Sequence, residues 1–402
     1  MVTGSGSLSS LREFNRLRIV DFLRTNGTAS RAELSRRTGL SRSTVSTLVA
    51  DLQRRGLVVE RAGQFAGEGQ PGRPAALLEL DPSAAAAVGI DFDHDKVRVA
   101  VSDLSRSVLA EASAPHDVDH DALGALDLAA ELTEHVLDQA ELDRERLLGV
   151  GVALAGPIDH DKGAVHPSDV LPGWADIDAA TELEQRLDTL AYVDNDANLG
   201  ALAEVTLGAG RNARFAAYVS ISSGIGAGIV VDGRPYHGHR GTAGEIGHVV
   251  VDPQGPICRC GNRGCLETLA SGPALLKLVR ESRDREDLTV REMIELAREG
   301  DAGCRRAIVD AGQVVGRVVA GLVNLFSPEM VVVGGDLGEA GDLLLDPLRE
   351  AVRRNALPAA AEDLRVVAGE LGERANLLGA LALVLMQSEH EVAARVAGSA
   401  AA

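Results

Sequence analysis

Three of the chain's four cysteines fall in one short segment, Cys258-Arg-Cys260-Gly-Asn-Arg-Gly-Cys265. His248, inside Gly244-Glu-Ile-Gly-His248, precedes the first of them by ten positions. Three thiolates and one imidazole make a closed tetrahedral donor set, the composition of a structural zinc site. Gly261 and Gly264 let a short loop turn tightly enough for the three sulfurs to face one ion. Cys258 and Cys260 are too close for easy pairing with each other, and a disulfide would leave one thiol over. The spacing therefore favours zinc over a disulfide, and both over a chance cluster of buried thiols. One zinc per chain is expected, held by His248, Cys258, Cys260 and Cys265, and it should hold a functional loop rigid.

The rest of the chain must supply the domains around this loop. Its 402 residues suggest more than one domain, and aromatic residues make up only 2%, so the cores must be aliphatic. Glycine-rich turns alternating with Val/Ile/Leu runs point to α/β architecture. No apolar run approaches membrane-spanning length, and the first ten residues lack a signal-peptide core. A cytoplasmic protein with no membrane partner is expected, in a compartment where thiols stay available for metal.

Charge divides the chain. The net charge is −19, yet residues 1–80 hold twelve arginines, no lysine and seven acidic residues, a balance of +5. A basic head on an acidic body suggests that only the head meets a polyanion. Residues 30–38 read as a helix capped by Ser30, with Glu33 completing a capping box. Gly39-Leu40 is a turn, and Ser41 caps a second helix over 41–55. Its Val45, Leu48, Val49 and Leu52 share one face. Ser41, Arg42, Ser43, Thr44, Ser46 and Thr47 remain near its N-terminus for base edges in a major groove. An earlier helix, about 11–25, adds Leu17, Val20 and Leu23 to the same core. Two strands, 56–60 and 76–80, flank a glycine-rich tip and form a wing. Arg73, between Gly72 and Pro74, is placed there for a minor groove. The expected domains are a winged helix-turn-helix at 1–80, a linker at 81–86, a body at 87–390 and a disordered tail at 391–402.

In the body, 88–103 has the rhythm of a strand hairpin, 148–159 of a buried strand ending in a turn, and 219–231 of a hairpin with a glycine turn. Tyr192-Val-Asp-Asn195-Asp196-Ala-Asn198 places polar side chains where a strand gives way to a helix. Glu245-Ile-Gly-His248 followed by Cys258-x-Cys260-Gly-x-x-Gly-Cys265-x-Glu267 closely resembles the signature of the ROK family of repressors, open reading frames and sugar kinases. With the head added, the chain resembles the family's xylose-type and N-acetylglucosamine-type repressors over nearly its whole length. That resemblance implies a two-lobed, actin-like (ribonuclease H-like) sugar-kinase fold, a sugar or sugar derivative in the interlobe cleft, zinc beside it, and a homodimer or homotetramer. It implies Asn195, Asp196, Glu245, His248 and Glu267 as sugar ligands. Carboxylates and an amide can exchange hydrogen bonds with vicinal hydroxyls, although Asn195-Asp196 alone would read as a helix N-cap pair. Trp174 is a weaker candidate for the cleft wall.

Kinases of the family carry Asp-x-Gly-Gly-Thr after the first strand. Here the stretch is Asp91-Phe-Asp93-His94-Asp95, with carboxylates where phosphate would approach backbone N–H groups. ATP is not expected to bind, and no catalysis is expected. Asp196 matches the family's catalytic base, Ser222 to Gly228 its second phosphate loop, and Gly334-Gly335 its nucleotide-side turn. These leave an active ATP-dependent sugar kinase with an added head as the alternative. The leading expectation is a sugar-responsive repressor of carbohydrate-metabolism genes that binds double-stranded operator DNA.

Overall fold

A computed structural model describes residues 8–61, 76–82, 84–159, 163–165, 171–211, 213–283 and 286–388. The head begins with α1 (Leu8–Asn26), β1 (Ala29–Ser30), α2 (Arg31–Thr38) and α3 (Arg42–Arg54). The Ser30 hydroxyl accepts from the Glu33 N–H at 3.2 Å, one arm of the expected capping box. Gly39 ends α2 in the left-handed region, and Ser41 caps α3 by accepting from the Thr44 N–H at 3.1 Å. Val45, Leu48, Val49 and Leu52 are buried against Ile19, Val20 and Leu23 of α1. β2 (Val58–Arg61) pairs antiparallel with β3 (Leu77–Leu80), and β1 completes a three-stranded sheet. This is the winged arrangement, with β1 too short for a sequence period to betray. Arg73 and the wing tip lie outside the described residues, as does the Leu17 side chain.

One buried charge holds the head's helices together. Asp51 of α3 pairs with Arg16 of α1, with Arg54 at 2.9 Å and with Arg55 at 3.3 Å. Burial pushes its carboxyl up, but the guanidiniums of Arg16 and Arg55 outweigh that and hold it below the usual carboxylate range. A depressed carboxylate stabilises above its unfolded pKa, and the contribution is lost as pH falls through the folded value. Asp51→Ala would leave the guanidinium groups without their partner, and the head is expected to lose about 3 kcal/mol near neutral pH. Hydrogen exchange of α3 amides measures this loss, which should shrink towards pH 3. Unchanged protection would show that the cluster is only surface decoration.

The body contains two sheets of the same topology. In the first lobe β4 (Ala86–Asp93), β5 (Lys96–Asp103) and β6 (Val108–Pro115) form an antiparallel meander, followed by α4 (Ala122–Gln139). β7 (Leu147–Leu154) pairs parallel to β4, and the small hairpin β8 (Ile158–Asp159) and β9 (Ala164–Val165) follows. After α5 (Ala179–Leu187), β10 (Ala191–Asn195) pairs parallel to β7. α6 (Asp196–Thr206) leads to the second lobe, where β11 (Phe215–Ile221), β12 (Ile225–Val231) and β13 (Arg234–Pro235) form another meander. Short α7 (Glu267–Ala270) precedes α8 (Gly272–Arg283), α9 (Val290–Arg298) and α10 (Ala302–Phe326). β14 (Met330–Gly334), α11 (Asp342–Asn355), α12 (Pro358–Ala361) and β15 (Arg365–Ala368) complete the sheet, with β14 and β15 parallel to β11. Both sheets thus run meander, then two parallel strands on the far side of the first strand. The expected α/β, two-lobed fold is present.

α13 (Ala375–Gln387) returns from the second lobe to cover the first sheet and α6. A Cβ at Gly151 would lie 2.0 Å from the Ala380 carbonyl oxygen, so only glycine admits this helix so close to β7. α13 also joins body to head. Leu377, Leu381 and Val384 share one buried cluster with Ile19, Leu23 and Leu80, and with Ala85 and Ala87. The expected linker at 81–86 therefore overlaps β4 at Ala86, and its Ala85 is packed. The expected tail at 391–402 lies outside the described residues.

One expectation is corrected here. α10, at 25 residues, is long and apolar enough by composition to cross a membrane. Scattered charges such as Arg305, Arg306 and Arg317 disguised the run in the sequence. In the fold its buried face, including Ile308, Val315 and Val319, belongs to the second lobe's core with Leu344 and Leu348 of α11.

Candidate functional site

The cysteine loop closes on the predicted four residues. One ligand atom from each of His248, Cys258, Cys260 and Cys265 lies within 4.8 Å of all the others. Cys260 and Cys265 sulfurs are 3.6 Å apart, and the Cys258 sulfur is 3.5 Å from His248 Nδ1. Tetrahedral zinc–sulfur bonds of about 2.3 Å imply sulfur–sulfur edges near ~3.8 Å, whereas a disulfide needs about 2.05 Å. The donor set fits zinc, and all four cysteines are free thiols. Cys304 is buried in α10, outside the set. Burial first, then the neighbouring sulfurs, pushes the Cys265 thiol up to about 12. A bound metal ion replaces the thiol protons, since a coordinating thiol is deprotonated outright. Backbone geometry matches the requirement for glycine. Gly261 and Gly264 have φ of 89° and 67°, and a Cβ on Gly264 would meet the Asp252 carbonyl oxygen at 1.5 Å.

His248 turns its other ring nitrogen away from the sulfurs. Nε2 lies 3.7 Å from a Glu245 carboxylate oxygen across a turn of 3₁₀ helix, Ile246–His248. Here a cavity of about 90 Å³ opens between the lobes, lined by Asn195, Asp196, Glu245, His248 and Glu267. All five residues implied as sugar ligands therefore share one wall set. Asn195 and Asp196 come from the β10–α6 junction. Asn195 is also the N-cap that its position suggested, accepting from the Ala197 and Asn198 N–H groups at 2.9 and 3.2 Å. Its amide nitrogen donates to the Gly156 carbonyl at 3.0 Å, which fixes the rotamer. Burial first, and Glu245 among the other contributors, lifts the Asp196 carboxyl to about 6. Burial and Glu267 likewise raise Glu245. Three carboxylates crowded in a half-buried cavity suit a ligand that brings several hydroxyl donors.

Three residues here escaped the sequence reading. Arg259, between two cysteines, donates to Glu267 at 2.9 Å and holds that carboxylate towards the cavity. His237 Nε2 donates to the Asp194 carboxylate at 2.7 Å, just before Asn195, tying a second-lobe loop to the β10–α6 junction. His94 spans the cleft, with Nδ1 2.7 Å from Asp119 in its own lobe and Nε2 2.8 Å from Ser223 in the other. His237 and His94 have no spacing that marks them, because each works through partners far away in the chain, and Arg259 lies within the cysteine loop, where the metal donors drew the reading. Trp174 is buried, edge-on to Phe92, with its ring N–H donating to the Val118 carbonyl at 2.8 Å. It packs the first lobe and does not line the sugar-side cavity.

Beyond Asp196 the cleft widens into a cavity of about 480 Å³. Asp91, Asp93 and Asp95 from the β4–β5 hairpin line it, together with Asp336, Glu339 and Glu373. Arg98 of β5 holds Asp91 on the neighbouring β4 at 2.6 Å and lies 3.6 Å from Asp93 and Glu373. The Asp93 carboxylate accepts from the His94 N–H at 2.9 Å and closes the turn in which kinases keep glycines. Burial, then Asp93 and Glu373, raises the Asp336 carboxyl, a sign of like charges in close company.

On the head, Ser41, Arg42, Ser43, Ser46 and Thr47 are exposed along the start of α3. Thr44 is half-buried, and its hydroxyl is engaged with the Ser41 hydroxyl at 2.8 Å.

Comparisons with known proteins agree with this geometry. The model of the ROK family matches residues 87–387, and that of the MarR family matches residues 13–64. A xylose repressor from Caldicellulosiruptor bescii is 32% identical over 392 residues, covering 94% of this chain and 97% of that one. The crystal structure of a ROK transcriptional regulator, a homologue of the Escherichia coli Mlc protein, superposes with a TM-score of 0.80 at 26% identity, covering 96% of this chain and 99% of that one. A ROK hexokinase from Thermus thermophilus superposes with a TM-score of 0.65 at 32% identity, covering 76% of this chain and 99% of the hexokinase.

Proposed function

The chain belongs to the ROK family, and from that membership we propose that it is a sugar-responsive transcriptional repressor that binds operator DNA and does not phosphorylate its effector. The observation carrying this reading is the coexistence of an intact sugar-side cavity with a nucleotide side filled by carboxylates. The repressor-named relative matches over the head as well as the body, and the hexokinase covers the body alone.

In this reading the second lobe contributes Glu245, His248 and Glu267, and the β10–α6 junction contributes Asn195 and Asp196. Carboxylates accept from vicinal hydroxyls, and the Asn195 amide supplies one donor. His248, Cys258, Cys260 and Cys265 would hold one zinc, which fixes the loop and thereby the two residues facing the ligand. His248 Nε2 is left to the sugar side, and Arg259 orients Glu267. Sugar between the lobes draws them together, the usual movement around a cleft ligand. Helix α13 carries that movement to the head, since it packs on both. In a homodimer or homotetramer the spacing of the heads would change, and half-site spacing on DNA is fixed geometrically. Ser41, Arg42, Ser43, Ser46 and Thr47 would face the major groove, Thr44 would chiefly order the cap, and Arg73 would reach the minor groove from the wing tip. Such a repressor works in the cytoplasm.

The kinase reading keeps Asp196 as base, and a direct experiment separates the two. A thermal-shift screen of sugars and sugar derivatives, with zinc retained, identifies the effector. Incubation of that effector with ATP and magnesium is then expected to form no sugar phosphate above background. Steady phosphorylation that disappears in Asp196→Ala would establish the kinase instead.

A further inference from the structure

We propose that the crevice where the head meets the two lobes binds a small phosphorylated metabolite, at a site separate from the sugar cleft. The crevice has a volume of about 480 Å³, within the range of small-molecule sites. Five arginines converge on it from four places in the chain: Arg24 on α1, Arg106 in the β5–β6 turn, Arg211 and Arg214 between α6 and β11, and Arg234 at the start of β13. Among the described residues two carboxylates, Asp21 and Asp232, share the walls. Asp232 is engaged by Arg214 at 2.6 and 3.0 Å.

This concentration of positive charge runs against its surroundings. With the head at +5 and the whole chain at −19, the residues from 81 onward carry −24. Four of the five arginines nevertheless come from that acidic body. Guanidinium forks match phosphate oxygens two at a time, and several around one concavity select a doubly charged phosphomonoester over a chloride-sized ion. The floor is apolar, with Val205 of α6 and Met386 of α13, and suits the non-phosphate part of such a molecule. The wide end of the interlobe cleft suits the same ligand less well, because Lys96, Arg98 and Arg291 share its walls with Asp91, Asp93, Asp95, Asp336, Glu339 and Glu373.

The position gives the site a consequence. Arg24 is 7% exposed, and its Nη1 donates to the Leu385 carbonyl at 3.5 Å in the last turn of α13. A cation there also complements the exposed carbonyls of the helix end. A ligand in the crevice would touch the head's first helix, the first lobe through Arg106 and the second through Arg211 and Arg234. It would fix the head against the body, whatever occupies the sugar cleft. A concave junction of this size fits a small molecule better than a duplex backbone, which needs an open ridge of cations.

The test uses the full-length protein with zinc retained and glycerol 3-phosphate as the probe, at constant ionic strength, with sodium chloride as the control. Calorimetric titration is expected to show one saturable site in the wild type. Arg211→Ala and the double variant Arg211→Ala/Arg234→Ala replace exposed side chains, and melting curves check that they fold. Binding is expected to weaken by roughly tenfold or more in the double variant, less in the single variant, and to persist in Lys96→Ala on the cleft wall. No saturable binding, or unchanged binding in the double variant, overturns the site. Loss in Lys96→Ala with retention in the double variant places the probe in the cleft and also overturns it. If the double variant instead loses affinity for double-stranded DNA by a similar factor with no phosphate present, the arginines are contacting the DNA backbone and the proposal is wrong.

Discussion

Cys265→Ala is expected to abolish metal binding and to cause the largest stability loss of any single substitution in the body. Cys265 is fully buried at the end of the loop, and its sulfur sits 3.6 Å from that of Cys260. Structural zinc contributes roughly 10–16 kcal/mol of apparent binding free energy in small zinc-dependent folds, and here part of that is spent ordering residues 248–265. Without it, the neighbouring structure loses its anchor: Val250 pairs with Cys265, and Ile257 with Arg263, only through isolated bridges. Elemental analysis should find about one zinc per wild-type chain and none in the variant. Cys304→Ala, in the core of α10, should keep its zinc. A Cys265→Ala protein with wild-type melting temperature and intact sugar response would show that the cluster is not a metal site.

Glu245→Ala is expected to lower sugar affinity by on the order of 100-fold while keeping zinc, the sum of about two charge-assisted hydrogen bonds of 1.5–3 kcal/mol each with partial compensation by water. Glu245 lies beside His248, one of the four residues that could hold the metal, without being in that donor set, so its loss should separate ligand recognition from loop folding. Removing it also relieves the crowding that raises Asp196. Sugar titration followed by intrinsic fluorescence of Trp174, or by calorimetry, measures the change. A variant that binds the effector as tightly as wild type would remove Glu245 from the ligand set.

Much of this architecture was legible because local chemistry and global fold agree at particular residues. Ser41 followed by the Val45, Leu48, Val49, Leu52 face defined α3, and the cap and burial both hold. The cysteine loop was legible because a metal donor set needs specific residues at short spacing. Asn195 and Asp196 could be read as a cap or as ligands, and the structure shows a cap whose residues also line the cavity. What stayed hidden was long-range. The bridge from His94 to Ser223 joins residues 129 positions apart, and nothing near either one announces it. α13 fuses head and body into one core, a role set by the glycines it packs upon and by partners far away in the chain. The two-residue β1 was too short for alternation to exist, and the apolar character of α10 was broken up by surface charges on one face.

The central claim is that a sugar in the interlobe cavity controls the DNA-binding head without being phosphorylated. Operator affinity of the wild type and of Glu245→Ala, measured by fluorescence anisotropy with and without the effector and in the absence of ATP, tests it most directly. The account predicts equal affinity for both proteins without sugar. It predicts a sugar-induced change of roughly 5–150-fold in the wild type, a coupling of about 1–3 kcal/mol, and none at the same sugar concentration in the variant. An equal response in both proteins, or a wild-type response that appears only when ATP is added, would contradict it.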